Sequence, residues 1–143
     1  MIDPEAFLRQ EVESASPAKL RWLLLQKAHG LCFVIRDQWT KGQASESRQW
    51  VIRIQDILTE LLEGIVDPKH ELAKQQSDLY VFLSKLIVLA DQTQDVQTLD
   101  SFREIIEIEK ETWEMLTRRE VAASAHPLAV NTDTSDFSFS IEA

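Results

Sequence analysis

Three histidines, one cysteine and a run of glutamates are the side chains of this 143-residue chain best equipped to do chemistry. His29, His70 and His126 are too scattered to form a metal pair on one helix face, and Cys32 alone supplies no thiolate cluster. A zinc site therefore lacks its ligands. Glu104, Glu107, Glu109, Glu111 and Glu114 do not repeat as the inward Glu-x-x-His pattern of di-iron bundles, and they read as a solvated helix face. No Gly-rich phosphate loop, nucleophile elbow or Walker sequence is present. The expectation is a chain with no catalytic residue, no metal and no cofactor.

One catalytic use of His29 merits weighing. Ala28-His29-Gly30 falls in a stretch that reads as helix, and histidine phosphotransfer domains are four-helix bundles that accept phosphate on an exposed imidazole. Leu31, Cys32 and Phe33 follow, where such a site has Lys and small residues, and they would crowd the ring. A packed histidine on a helix face is the simpler reading.

The elements that position these residues are helices. Only three Gly and four Pro occur in the chain, with none of either between Lys69 and His126, and no hairpin dipeptide or strand-length alternation is found. Ser16-Pro17 marks a helix start: the Ser hydroxyl caps exposed amides and Pro suits the first helical position. Leu20, Leu24, Leu31 and Ile35 then recur along one face, thickened by Trp22, Leu25, Cys32 and Phe33. A polar break from Thr40 to Ser47 leads to a second helix carrying Trp50, Ile54, Ile57, Leu58, Leu61 and Ile65, which ends near Gly64 before Asp67-Pro68. A third helix carries Leu72, Leu79, Phe82, Leu83, Leu86, Ile87 and Ala90, with Tyr80 beside that face. After a polar loop from Asp91 to Asp95, a fourth carries Val96, Leu99, Phe102, Ile106, Trp113 and Leu116 and fades near Glu120.

Short connections favour antiparallel neighbours, so the expected fold is all-α, an up-down four-helix bundle. Ala6, Phe7, Leu8 and Val12 suffice for a short additional N-terminal helix or strap lying on it. The expected division is one helical domain over residues 1–121 and a flexible acidic tail over 122–143, where Lys and Arg are absent.

A formal charge of −9 opposes strong affinity for nucleic acid or anionic lipid. No apolar run approaches a membrane span, the lone cysteine makes no internal disulfide, and no secretion signal opens the chain, so the cytosol is the expected compartment.

The surplus of apolar surface on the first helix is the functional clue. Trp22 lies about 160° from Leu20 and Leu24 by the helical repeat, so one bundle core does not easily cover both. A second apolar face must be capped by the chain's own termini, by another copy or by a partner chain. A homodimer is one way of meeting that need.

Ala6-Phe7-Leu8 and Val12-Glu13-Ser14-Ala15-Ser16-Pro17 are followed by Leu20 and Leu23-Leu24, and later by Ile57 to Leu62, Asp78-Leu79-Tyr80 and Trp113. In order and spacing these residues resemble the flagellar secretion chaperone FliS family, the first group its opening and the second its later landmarks, so the likeness runs from Ala6 to Leu116. Two departures are visible: Phe7 replaces the usual Tyr, and Leu24-Leu25-Gln26-Lys27-Ala28 replaces the usual Leu-Tyr-Asp-Gly-Ala.

The resemblance implies a FliS-like bundle that acts as a cytosolic export chaperone. It would bind the disordered C-terminal segment of flagellin, keep it from polymerising and deliver it to the flagellar type III export apparatus. Phe7, Leu8 and Val12 are expected to form a strap over the client groove, and Trp22, Leu25 and Tyr80 to line it.

Overall fold

The computed structural model describes residues 3–6, 9, 15–67 and 69–125, and among them there is no strand. Four long helices follow one another: α1 (Pro17–Thr40), α2 (Ala44–Glu63), α3 (Glu71–Thr93) and α4 (Val96–Ala125). A short N-terminal helix precedes them, of which Pro4, Glu5, Ala6 and Arg9 are described. Asp3 starts it by accepting the Glu5 amide at 3.1 Å.

The start of α1 is the one its sequence predicts. Ser16 Oγ accepts the Lys19 amide at 3.2 Å and donates to Glu120 of α4 at 2.7 Å, with Pro17 in the first turn. Ser16 thus caps one helix and ties it to another.

The connections are tighter than the expected polar breaks. The Thr40 to Ser47 break shrinks to Lys41-Gly42-Gln43, where Gly42 takes φ +73. Ser47 lies buried inside α2, accepting the Trp39 indole N–H at 2.9 Å and donating to the Ala44 carbonyl at 2.8 Å. At the next end, Asp91 belongs to α3 and faces Arg48 of α2 at 3.6 Å, so the turn is only Gln94-Asp95. Asp95 caps α4 by accepting the Gln97 amide at 3.1 Å and the Thr98 hydroxyl at 2.7 Å. Helix α4 continues beyond Glu120 to Ala125, because Ala122, Ala123 and Ala125, of the residue type with the highest helix propensity, carry it past its last core contact.

The helices pack in a ring, α1 against α2 and α4, α2 against α3, and α3 against α4. Every neighbouring pair is antiparallel: Arg21 near the start of α1 reaches Leu61 near the end of α2, and Arg36 near the end of α1 pairs with Asp100 near the start of α4 at 2.9 Å. This is the up-down all-α bundle expected from the short connections.

In the core, Ala18, Leu25, Ala28, Cys32 and Ile35 of α1 meet Ile54, Ile57, Leu58 and Leu61 of α2. Tyr80, Leu83 and Ile87 of α3 and Leu99, Phe102, Ile106 and Trp113 of α4 complete it. Each fully buried Leu or Ile contributes roughly 1.5 to 3 kcal/mol by leaving water.

Candidate partner-binding groove

Helix α1 has two apolar seams, and only one of them faces the core. Ala18, Leu25, Ala28, Cys32 and Ile35 share the buried seam at helical spacing. About a third of a turn round, Leu20, Leu23, Leu24, Lys27, Gly30 and Val34 line an open groove together with Leu31, Gln26 and Arg53 of α2. Its volume is about 490 Å³. Val34 is 40% exposed on this wall of the groove.

This reverses the expected assignment of the two faces. The Leu20 and Leu24 side of α1 borders the groove, while Leu25 is fully buried in the core. Trp22 and Leu24 are both partly buried against the core, so the bundle does cover part of each, and Trp22 is not among the groove's described lining. The surplus apolar face exists, but it lies on the other side of α1. Small residues decide the matter: Ala18 and Ala28 let α1 approach its neighbours closely on the side of Leu25. Phe7, Leu8 and Val12 lie outside the described residues.

Tyr80 is also fully buried, so it is no groove residue in the free molecule. Its hydroxyl donates to Glu109 Oε2 at 3.0 Å, and Gln76 Nε2 approaches the same carboxylate at 3.4 and 3.5 Å. Burial, then the Glu109 charge, raise the Tyr80 pKa far above its ordinary value, with Arg21 opposing them. The phenol is held as a donor.

Arg21 completes this cluster. Its guanidinium carbon lies 5.8 Å from the Tyr80 ring centroid and 5.0 Å from that of Trp113, and Nη2 donates to the Leu61 carbonyl at 3.1 Å. Gly64 makes room for it, since a Cβ there would sit 2.9 Å from Arg21 Nη1. Sequence reasoning missed both Arg21 and Glu109. Glu109 was grouped with the solvated glutamates, yet it is only 8% exposed. Its spacing from Phe102, Ile106 and Trp113 was the available signal.

Above this cluster, Leu72, Gln75, Gln76, Leu79, Thr112, Trp113 and Leu116 line a second depression between α3 and α4, about 330 Å³ in volume. It is the smaller of the two. Trp113 itself is a core residue, as tryptophan usually is.

His29 is poorly placed for phosphotransfer. Its side chain is 15% exposed, its ring meets Phe33 edge to face at 5.3 Å, and Nε2 lies 3.8 Å from Glu107. Burial, then Lys110, lower its pKa, against the opposing pull of Glu107. The imidazole is packed, as the crowding by its neighbours predicted. Among the described residues no group of His, Cys, Asp and Glu is arranged to hold a metal ion, and no helix is long and apolar enough to cross a membrane.

Comparison with known proteins finds no curated protein that matches this chain. The family model described as "Flagellar protein FliS" matches residues 4–120, which takes in the short N-terminal helix, all of α1 to α3 and most of α4. The chain therefore belongs to the flagellar protein FliS family.

Proposed function

We propose that this chain is a cytosolic export chaperone for flagellin, engaging the disordered C-terminal segment of its client. The client would thereby be kept from polymerising before its delivery to the flagellar type III export apparatus. Membership of the FliS family supports the class of activity. The observation that carries the reading is the open seam of α1: Leu20, Leu23, Leu24 and Val34 lie along a groove that the bundle leaves uncovered.

The physical logic is that of folding on binding. A disordered segment gains affinity by laying apolar side chains into such a groove, at an ordering cost of about 2 to 5 kcal/mol. Phe7, Leu8 and Val12 are proposed to shield the groove until the client arrives. They form an apolar cluster ahead of α1, close in sequence to the groove's first residue, Leu20.

Co-expression with the cognate flagellin, followed by purification of the complex, tests this reading. The wild-type chain is expected to hold flagellin as a soluble one-to-one complex. Val34→Asp, at a half-exposed position, is expected to keep the fold and lose the client. Failure of wild type to retain flagellin would remove the proposal.

A further inference from the structure

Helix α3 buries Tyr80, Leu83 and Ile87 on its inner face, but its outward face is not uniformly polar. Val81, Phe82 and Leu89 are 42%, 50% and 49% exposed there. Single exposed apolar residues need no explanation. These three, however, stand within about 50° of one line along the helix by the helical repeat, together with Lys74, Asp78 and Lys85. All six side chains are exposed. Asp78 and Lys85 make no ion pair among the described residues, whereas Arg36, Lys41, Arg48 and Arg118 each find a carboxylate within 4.0 Å.

The order of residues along this stripe is its own complement when the helix is reversed. Asp78 stands three residues before Val81 and Lys85 three residues after Phe82, while Lys74 and Leu89 stand seven before and seven after. Two copies of α3 laid antiparallel, with a two-fold axis between Val81 and Phe82, therefore set Asp78 of each against Lys85 of the other. Val81 then meets Phe82 at the centre. Leu89 meets the alkyl stem of Lys74, beside a shallow hollow of about 290 Å³ that borders Lys85 and Leu89. No like charges face each other in this register, whereas a parallel pairing would set Asp78 on Asp78 and Lys85 on Lys85. A two-fold contact between identical chains requires such self-complementarity.

We propose that the outward stripe of α3 is a self-association surface, occupied by α3 of a second copy of this chain in a symmetric, antiparallel dimer. Helix α3 packs on α2 and α4 and stands diagonally across the ring from α1, so the contact leaves the α1 groove of each copy open. The paired charges set the register, and they offset part of the repulsion between two chains of formal charge −9. A single pair of 23-residue helices, each about 35 Å long, lies at the small end of specific interfaces, so the dimer dissociates in the micromolar range.

The test is sedimentation equilibrium of the full-length chain across micromolar concentrations, at low and at high salt. Wild type is expected to pass from monomer to dimer. Phe82→Asp should stay monomeric with its melting temperature kept, since the position is half exposed. Asp78→Lys and Lys85→Asp should each weaken self-association about ten-fold at low salt, the gap narrowing as salt rises. Mixing these two variants should restore a dimer with one copy of each, because every facing pair is then opposite in sign. A wild type that stays monomeric throughout would overturn the proposal. So would a dimer that Phe82→Asp leaves intact, or charge reversals that change nothing or show no recovery on mixing. Co-purification with flagellin reads the α1 groove separately: Phe82→Asp should retain the client, and its loss there would assign the stripe to the client and overturn the second copy.

Discussion

Tyr80 and Glu109 face each other across the seam between α3 and α4, the phenol donating to the carboxylate at 3.0 Å while both are sheltered from water. A hydrogen bond to a charged acceptor in such surroundings is worth more than a neutral one, and leaving a buried carboxylate short of a donor is costly. The pair therefore fixes the lateral position of α3 against α4 and supports the floor of the smaller depression. Tyr80→Phe is expected to lower stability by about 2 kcal/mol, measured by urea unfolding. Adding Glu109→Leu should cost less than the sum of the two single changes, because the carboxylate that lost its donor is then gone. Strict additivity would show that the two residues act independently.

How far the fold could be read from the residues is clearest at α1 and α4. The cap at Ser16-Pro17, the four helices and their antiparallel order follow from breakers and periodicity, which local chemistry sets. Which seam of α1 faces inward does not follow, since Leu20, Leu23, Leu24, Leu25, Leu31, Val34 and Ile35 spread around much of the helix. Two seams of similar hydrophobicity differ only in how closely a neighbour can approach them, and that depends on Ala18 and Ala28. Glu109 escaped notice for the opposite reason: its position is a core position, but its charge resembles that of the solvated glutamates around it. Arg21 carries no sequence signal, because its partners Tyr80, Trp113 and the Leu61 carbonyl come from three other helices.

Cys32 is 1% exposed and its thiol donates to the Ala28 carbonyl at 3.4 Å. Burial pushes its pKa up from 9.0 to about 12, so the folded protein keeps the proton that the unfolded chain releases. Native protein at pH 8 should resist thiol-specific reagents and react fully once unfolded. The sign of the linkage follows: the thiol favours the fold less as pH rises from about 9 towards 12, where the unfolded state gains by ionising. Cys32→Ala should remove that part of the alkaline loss. Rapid labelling of the folded protein would contradict the packing of α1.

His29 titrates in the opposite direction. Its folded pKa lies below 6.5, mainly through burial and then Lys110, so the unfolded chain takes up a proton before the folded one does. Stability is full above about pH 6.5 and falls as pH drops through the interval below it. Unfolding of wild type and His29→Leu, compared between pH 7.5 and 5.5, should show a smaller acid loss in the variant. Phosphate transfer to His29 from a phosphorylated response regulator should be absent, since the ring is packed edge to face on Phe33.

Gly30→Ala separates what the bundle needs from what its groove needs. The new methyl group meets nothing within 4 Å, so no neighbour has to move, and alanine replaces glycine in mid-helix. The free protein should gain about 1 kcal/mol, seen as a higher urea midpoint with an unchanged slope. The same methyl group projects from the groove wall, where a client backbone would come close, so client affinity should fall while stability rises. A residue kept for folding alone would change both quantities in the same direction or affect only the first. A variant that is firmer as a protein and weaker as a binder would mark Gly30 as a position shaped by the client, since no contact within α1 to α4 requires its missing side chain.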